Sequence, residues 1–250
     1  LSKKISPLNK VAIVQARYGS TRLPGKILKD ISGKPMLWHV VNRLSFSKLI
    51  DKTIIATTDL PNDNITEEFC IDNKIDYYRG SADDVLSRYY KAARQFNADI
   101  VIRITSDCPL IDPLIVDKML STFLTECSDC DYMSNVIERT FPRGLDTEIF
   151  TSNALEKAMH EAATPFEHEH VTPFIYNHTD MFKTRNYANK QDYSLHRWTV
   201  DTEEDLRLID EIYKALYISD KLFLFEDVLK LFEQKPELIN INQHIKQKLF

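Results

Sequence analysis

The segment Ala16-Arg17-Tyr18-Gly19-Ser20-Thr21-Arg22-Leu23-Pro24-Gly25-Lys26 gathers two glycines, a Ser-Thr pair and three cations in one stretch. Glycines let backbone N–H groups converge on an anion, and cations neutralise it. The chemistry is that of a phosphate-binding loop. The chain has only five glycines, and Gly19, Gly25 and Gly33 all belong to this N-terminal region. Scarce glycine used this way marks a backbone that must approach something closely. A Walker A loop needs four residues between its glycine and Gly-Lys, followed by Ser or Thr. Here five intervene and Ile27 follows. The G-x-G of a dinucleotide fingerprint is absent too. The plain alternative is a solvated basic turn.

Two acidic positions stand just beyond apolar segments: Asp107 in Thr105-Ser106-Asp107-Cys108-Pro109-Leu110, and Asp201 in Trp198-Thr199-Val200-Asp201-Thr202. In open parallel sheets, ligands bind outside the carboxyl ends of strands. A carboxylate beside a phosphate site needs a cation between the two anions. Mg²⁺ is the natural choice, because it bridges one or two carboxylates and substrate phosphates. Asp107 and Asp201 are therefore the expected metal ligands, with Ser106 beside them on the nucleotide side. Helix capping is the competing explanation for both aspartates.

Arg143, in Pro142-Arg143-Gly144-Leu145-Asp146-Thr147-Glu148, suits forked recognition of a carboxylate or phosphate. With Asp146, Glu148 and His170 it makes the expected acceptor set; a surface hairpin is the alternative. The turn Tyr78–Asp84 offers Arg79, Ser81 and Asp84 to a ribose or base, although capping alone would explain Ser81. Glu167-His168-Glu169-His170 looks like a metal cluster, but residues two apart on a helix face different ways. Cys127-x-x-Cys130 lacks the second pair that zinc needs. Trp38 is most simply core, and there is no Gly-x-Ser-x-Gly elbow for acyl transfer.

The elements that must position these residues follow from periodicity. Lys10–Ala16, Thr53–Thr58, Ile75–Tyr78 and Asp99–Thr105 read as strands. Helices are predicted at Met36–Phe46, Asn64–Asn73, Asp83–Phe96 and Pro113–Leu124, with Ser81 and Asp84 at capping-box spacing. Alternating strand and helix implies a parallel sheet covered on both faces. Beyond Cys127 the rhythm loosens. Strands are predicted at Tyr132–Val136, Thr147–Phe150, Phe182–Tyr187 and Leu195–Val200. Helices are predicted at Asn153–Ala163, Glu167–His178 (interrupted by Pro173), Thr202–Leu216, Leu222–Phe232 and Ile239–Leu249. The expectation is a single domain over 1–250, with 127–193 as a substrate and dimerisation insertion and 217–250 as a helical extension.

Composition narrows the function. A chain of 250 residues with 43% hydrophobic and 28% charged residues is ordinary globular material. A net charge of −5 provides no footprint for nucleic acid or an anionic membrane. No apolar run approaches the roughly 18 residues of a membrane span. The opening LSKKISPLNK lacks the apolar stretch of a secretion signal. The four cysteines are expected to be reduced thiols in a cytoplasmic protein.

Together these motifs resemble the cytidylyltransferases that activate acidic sugars. AxRxxSTRLPGK is similar to the opening loop of the 3-deoxy-manno-octulosonate and acylneuraminate cytidylyltransferases. The spore-coat polysaccharide biosynthesis F-type branch is closer. QARYGSTRLPGK, GKPML, YRGSADDVLSRYY, RITSDCPLID, PRGLDTEIF, EHEHVTPFIY and WTVDTEEDL all read like it. The resemblance runs from about Lys10 to Leu216. It implies a three-layer α/β/α, Rossmann-like, nucleotide-diphospho-sugar transferase fold with a mixed, mostly parallel sheet, often as a homodimer. It implies that Arg17, Ser20, Arg22 and Lys26 hold the CTP phosphates, and that Ala16, Gly19 and Thr21 belong to the same loop. It also implies that Asp107 and Asp201 hold the metal. The octulosonate enzymes carry Gln near the base two residues before the metal aspartate. Here that position is Thr105, so cytosine selection falls to another element, the Arg79–Asp84 turn.

The expected activity is Mg²⁺-dependent transfer of CMP from CTP to an acidic, nonulosonate-like sugar, with pyrophosphate leaving. Arg17, Arg22 and Lys26 are the expected catalytic cations. The partners are CTP and an anionic sugar, with no nucleic acid and no membrane. Two rival readings fit the same residues. One is a glycosyltransferase using a finished sugar nucleotide; the other is a non-catalytic nucleotide-binding regulatory subunit.

Overall fold

The structure, a computed structural model, describes residues 7–127, 129–219 and 221–247. The chain begins with strand β1 (Lys10–Gln15), whose middle four residues are fully buried. A tight hairpin of β2 (Asp30–Ile31) and β3 (Lys34–Pro35) leads into α1 (Met36–Leu44). Then come β4 (Lys52–Thr58), α2 (Asn64–Asp72), β5 (Asp76–Gly80), α3 (Val85–Gln95), β6 (Ile100–Thr105) and α4 (Pro113–Thr125). The rest comprises β7 (Tyr132–Ser134), β8 (Glu148–Thr151), α5 (Ser152–Glu161), α6 (Pro165–His170), α7 (Pro173–Asn177), β9 (Thr184–Asn186), α8 (Glu203–Leu216) and α9 (Phe225–Gln234).

Seven strands form one sheet in the order β5-β4-β1-β6-β8-β7-β9. β5, β4, β1 and β6 run parallel. β8 runs antiparallel to both β6 and β7, and β9 runs parallel to β7. Alternate side chains of β1 feed two cores. Ala12 and Val14 face α1, α4, α8 and α9, whereas Val11 and Ile13 face α3, α5 and α7. Residues buried on both faces explain why these strands read as continuous apolar runs. This is an α/β fold with a mixed, mostly parallel sheet. β1 pairs with β4 on one side and β6 on the other. The chain winds outward through β4 and β5, then returns across β1 to β6. That reversal opens a crevice at the carboxyl ends of β1 and β6, where such sheets bind ligands.

Several local expectations are corrected. Leu195–Val200 is not a strand; it is an extended segment joined to the sheet region by one bridge between Arg143 and Arg197. The helix predicted from Leu222 begins at Phe225. Ile239–Leu249 is not a helix: Pro236–Ile241 is a 3-10 turn, and the chain continues irregularly to residue 247, residues 248 and 249 lying outside the described ones. α3 is capped by Asp84, whose carboxylate accepts from the N–H of Ser87, while Ser81 accepts one turn earlier from the N–H of Asp84. Cys127 and Cys130 are joined as a disulfide across a turn, with Cα atoms 5.2 Å apart, a separation that suits such a bond. Cys70 and Cys108 are free and buried. No helix among the described residues is long and apolar enough to cross a membrane.

Candidate active site

The loop leaving β1 is pinned at several points. Ala16 donates to the carbonyl of Ala56 at 3.1 Å, and Tyr18 N–H donates to Asp63 Oδ1 at 2.7 Å. Ser20 Oγ accepts from Leu23 N–H, and Gly25 N–H donates back to the Tyr18 carbonyl. Gly25 has φ +65°, and a Cβ there would press on the Tyr18 ring at 3.0 Å. That position therefore needs glycine. Leu23 and Ile27 are buried, which leaves the alternate polar side chains at the rim. Arg17, Thr21 and Arg22 are exposed, and Ser20 is half-buried.

Lys26 links this loop to both aspartates. Its Nζ lies 2.9 Å from Asp107 Oδ2, 3.0 Å from Asp201 Oδ1 and 2.9 Å from the Val200 carbonyl. Arg22 Nη2 reaches the same Asp201 oxygen at 3.0 Å. Thr105 Oγ1 donates to Asp107 Oδ1 at 2.6 Å. Burial works against ionisation of Asp107, but the Lys26 charge and the hydrogen bonds from Thr105 and Lys26 hold its carboxyl below the ordinary value. Burial likewise works against the Lys26 ammonium, and the two aspartates raise its pKa overall. The Asp201 segment is docked on Asp107 itself: Val200 N–H and Thr199 Oγ1 both donate to the Asp107 carbonyl. Ser106 is buried, and its N–H donates to the Gln15 carbonyl, tying β6 to β1.

A second group lies on the antiparallel side. Arg139 forks onto Asp146 at 2.6 and 2.8 Å. Arg143 ion-pairs with no carboxylate among the described residues. Burial and the charges of Arg139 and Arg197 push its guanidinium below the ordinary value, against the opposing charge of Asp146. Glu148 is buried and accepts from Tyr132 Oη and Thr172 Oγ1, each at 2.8 Å, and from Arg103. Arg103, Thr105, Val136, Asp146 and Glu148 line a cavity of about 80 Å³. A larger cavity of about 270 Å³ lies elsewhere, between α1 and the end of α8, and none of these residues lines it. His170 is half-buried, and burial lowers its pKa.

The turn after β5 is less open than its sequence suggests. Arg79 donates to the carbonyls of Thr58 and Leu60, to Asn64 and to Glu67, so it braces the β4–α2 connection. Asp84 also binds His168 Nδ1 at 2.9 Å, which ties α6 to α3. Arg88, missed in the sequence, is buried under Gly80 and donates to the Ser81 carbonyl at 2.5 Å.

The structure thus brings Arg22, Lys26, Asp107 and Asp201 into direct contact. Arg143 and Asp146 lie near them, while Arg79, Ser81 and Asp84 belong to a separate turn. A model of the cytidylyltransferase family matches residues 11–244, nearly the whole chain. The chain belongs to the cytidylyltransferase family. It is similar to a cytidylyltransferase structure from Leptospira borgpetersenii, at 37% identity and TM-score 0.89, over 96% of this chain and all of that one. It is 32% identical to the spore coat polysaccharide biosynthesis protein SpsF of Bacillus subtilis, over 81% of this chain and 85% of that protein. The fold is also shared with CMP:2-keto-3-deoxy-manno-octonic acid synthetase, at 19% identity and TM-score 0.62, over 83% of this chain and 99% of that one.

In this member of the family, the residues that steady the site were not visible as motifs. Arg197 grips Asp205 through two bonds, at 2.9 and 3.0 Å, and reaches Asp201 at 3.0 Å. Asn242 donates to the Arg197 carbonyl at 2.9 Å and to Asp205 at 2.8 Å. Asp205 shows in the sequence only as a cap for α8. Arg139 carries no local signal beyond its distance from Asp146.

Proposed function

We propose that the chain transfers CMP from CTP to an anionic sugar and releases pyrophosphate. The observation that carries this reading is the meeting of Asp107 and Asp201 on one cation at the mouth of a basic, glycine-shaped loop. Both carboxylates have an oxygen within 3.0 Å of Lys26 Nζ. Hard oxygen donors converging on one small cationic position fit Mg²⁺. When bound there, the ion would neutralise charge on the α-phosphate and the attacking oxygen.

The chain's own residues do the rest. Arg17 is exposed and has no carboxylate partner among the described residues, which leaves it available to a β- or γ-phosphate. Arg22 and Lys26 neutralise the leaving pyrophosphate, and the loop from Ala16 to Gly25 offers its N–H groups. Arg143 orients the acceptor through its anionic group, and Asp146 and Glu148, which line one cavity, are the carboxylates assigned to the acceptor's hydroxyls. A hydroxyl oxygen attacks the α-phosphorus in line; the bond to the bridging oxygen breaks, and one proton is released per turnover. Such catalysis is mostly positioning and charge neutralisation. Residues 127–193 supply the acceptor side in this reading, and surface polysaccharide synthesis is the role assigned to the product, a reading supported by the likeness to SpsF.

Calorimetric titration with CTP, UTP, ATP and GTP in Mg²⁺ tests the nucleotide without knowledge of the acceptor. CTP should bind best, and acidic sugars should then stimulate pyrophosphate release. Tighter binding of another nucleotide, or no release with any sugar acid, would overturn the assignment.

A further inference from the structure

Lys26 satisfies its ammonium completely inside the protein. Three donors meet three acceptors: Asp107 Oδ2, Asp201 Oδ1 and the Val200 carbonyl. The remaining carboxylate oxygens are engaged as well. Asp107 Oδ1 takes the Thr105 hydroxyl, and Asp201 Oδ2 takes Arg197. A divalent cation cannot engage both aspartates through their facing oxygens while Nζ stays where it is.

The cations on these carboxylates differ in how firmly they are held. Arg197 is buried and locked by Asp205 and by Gln247 at 2.5 Å. Arg22 is exposed and touches Asp201 through one nitrogen. Lys26 sits on a flexible four-carbon stem, immediately after the turn that Gly25 makes. A triphosphate in the loop would offer Lys26 and Arg22 several anionic oxygens. Arg197 has no comparable freedom.

We infer that Lys26 is an exchangeable internal cation: it holds Asp107 and Asp201 together before a metal arrives, and a triphosphate draws it away to admit the metal. The inference rests on the reading of these aspartates as metal ligands. It makes metal entry conditional on nucleotide. Without Lys26, the two carboxylates would repel each other and attract a free divalent ion. Mg²⁺ also gives up its water reluctantly and favours sites completed by phosphate, which reinforces the same order.

Mn²⁺ alone is the probe, with binding followed by electron paramagnetic resonance. The wild type should bind Mn²⁺ weakly without nucleotide. Lys26→Met and Lys26→Gln should each bind it on the order of tenfold more tightly, because a competing positive charge is removed from beside both carboxylates. Addition of a non-hydrolysable CTP analogue should tighten Mn²⁺ binding in the wild type and narrow the gap. Thermal unfolding of the wild type supplies a readout that needs no variant. Mn²⁺ alone should leave the midpoint unchanged, while Mn²⁺ with the analogue should raise it beyond the analogue alone. Equal Mn²⁺ affinity in wild type and variants, or a full midpoint rise with Mn²⁺ alone, would overturn the inference. If Asp107→Asn leaves Mn²⁺ binding unchanged in the presence of the analogue, the ligand reading itself fails, a distinct result.

Discussion

The guanidinium of Arg197 meets Asp201 at 3.0 Å, on the carboxylate oxygen that Lys26 and Arg22 leave free. Burial works against the Arg197 charge, but Asp205 and Asp201 more than offset it and raise its pKa. Asp201 is thus held by Arg197 on one carboxylate oxygen and by Lys26 and Arg22 on the other. Arg197 depends in turn on the end of the chain, through Asn242 and Gln247.

Replacing Asn242 tests that dependence. Asn242→Ala strands the Arg197 carbonyl and one bond of Asp205, both buried. Leaving a buried group unsatisfied costs about 1–3 kcal/mol. Urea unfolding should show that loss at unchanged slope, and turnover should fall while the nucleotide Kd changes little. Unchanged stability would mean that the C-terminal segment merely leans on the site.

Asp107→Asn keeps the shape of the side chain and removes its charge. A residue aimed at transition-state charge is worth about 10²–10³ in rate. Pyrophosphate release should fall by that factor with the fold intact by circular dichroism. Near-normal turnover in Mg²⁺ would remove Asp107 from the reaction.

Gly144 carries the loop that presents Arg143. Its φ is +103°, and a Cβ would lie 2.5 Å from the Trp198 carbonyl carbon, a backbone atom. Gly144→Ala should cost roughly 2 kcal/mol or more, since both strain and collision oppose it. The measurement is the urea midpoint. A neutral result would show that the 197–199 segment yields easily.

Arg143→Ala should raise the acceptor KM by about tenfold or more, the order lost when a charged group loses its partner. The CTP Kd should stay close to that of the wild type. Weakened CTP binding with an unaltered acceptor KM would move Arg143 to the nucleotide side.

His168 predicts a pH signature in stability. Its hydrogen bond to Asp84 raises its pKa above the ordinary 6.5, partly against burial. A raised folded value contributes stability that is complete below the unfolded pKa and is lost as pH rises through the folded one. The gap between wild type and His168→Gln should therefore be wider at about pH 5.5 than at about pH 8.5. A gap independent of pH would show that the pair is not charged.

The parallel half of the fold was legible because β1, β4 and β6 are buried on both faces, which leaves unbroken apolar runs between helical periods. Asp107 and Asp201 were legible for a related reason: each ends an apolar segment at the carboxyl edge of the sheet. Leu195–Val200 misled because Trp198 and Val200 are buried without a ladder partner, so burial imitated a strand. Ile239–Leu249 misled because its period is helical, while Pro236 opens a 3-10 turn and the Asn242 amide is committed to Arg197. Arg79 had the composition of a ligand residue, but backbone carbonyls nearby occupy it. Arg139 and Arg197 pair with acids four to eight residues away, and Asn242 with Arg197 and Asp205 37 to 45 residues away; no apolar period announces such pairings.

The bonds of Lys26 span 81 residues to Asp107 and 175 to Asp201. On a ribosome adding ~5–20 residues per second, the loop waits on the order of ten to thirty-five seconds for its second partner. During that interval the first strands are already synthesised while the loop's cations are at most partly compensated. Closure of the charge cluster is therefore a late event in the life of the nascent chain. Chains cut short before Asp201 would expose a basic loop with half its counter-charge, a feature by which unfinished copies differ from finished ones.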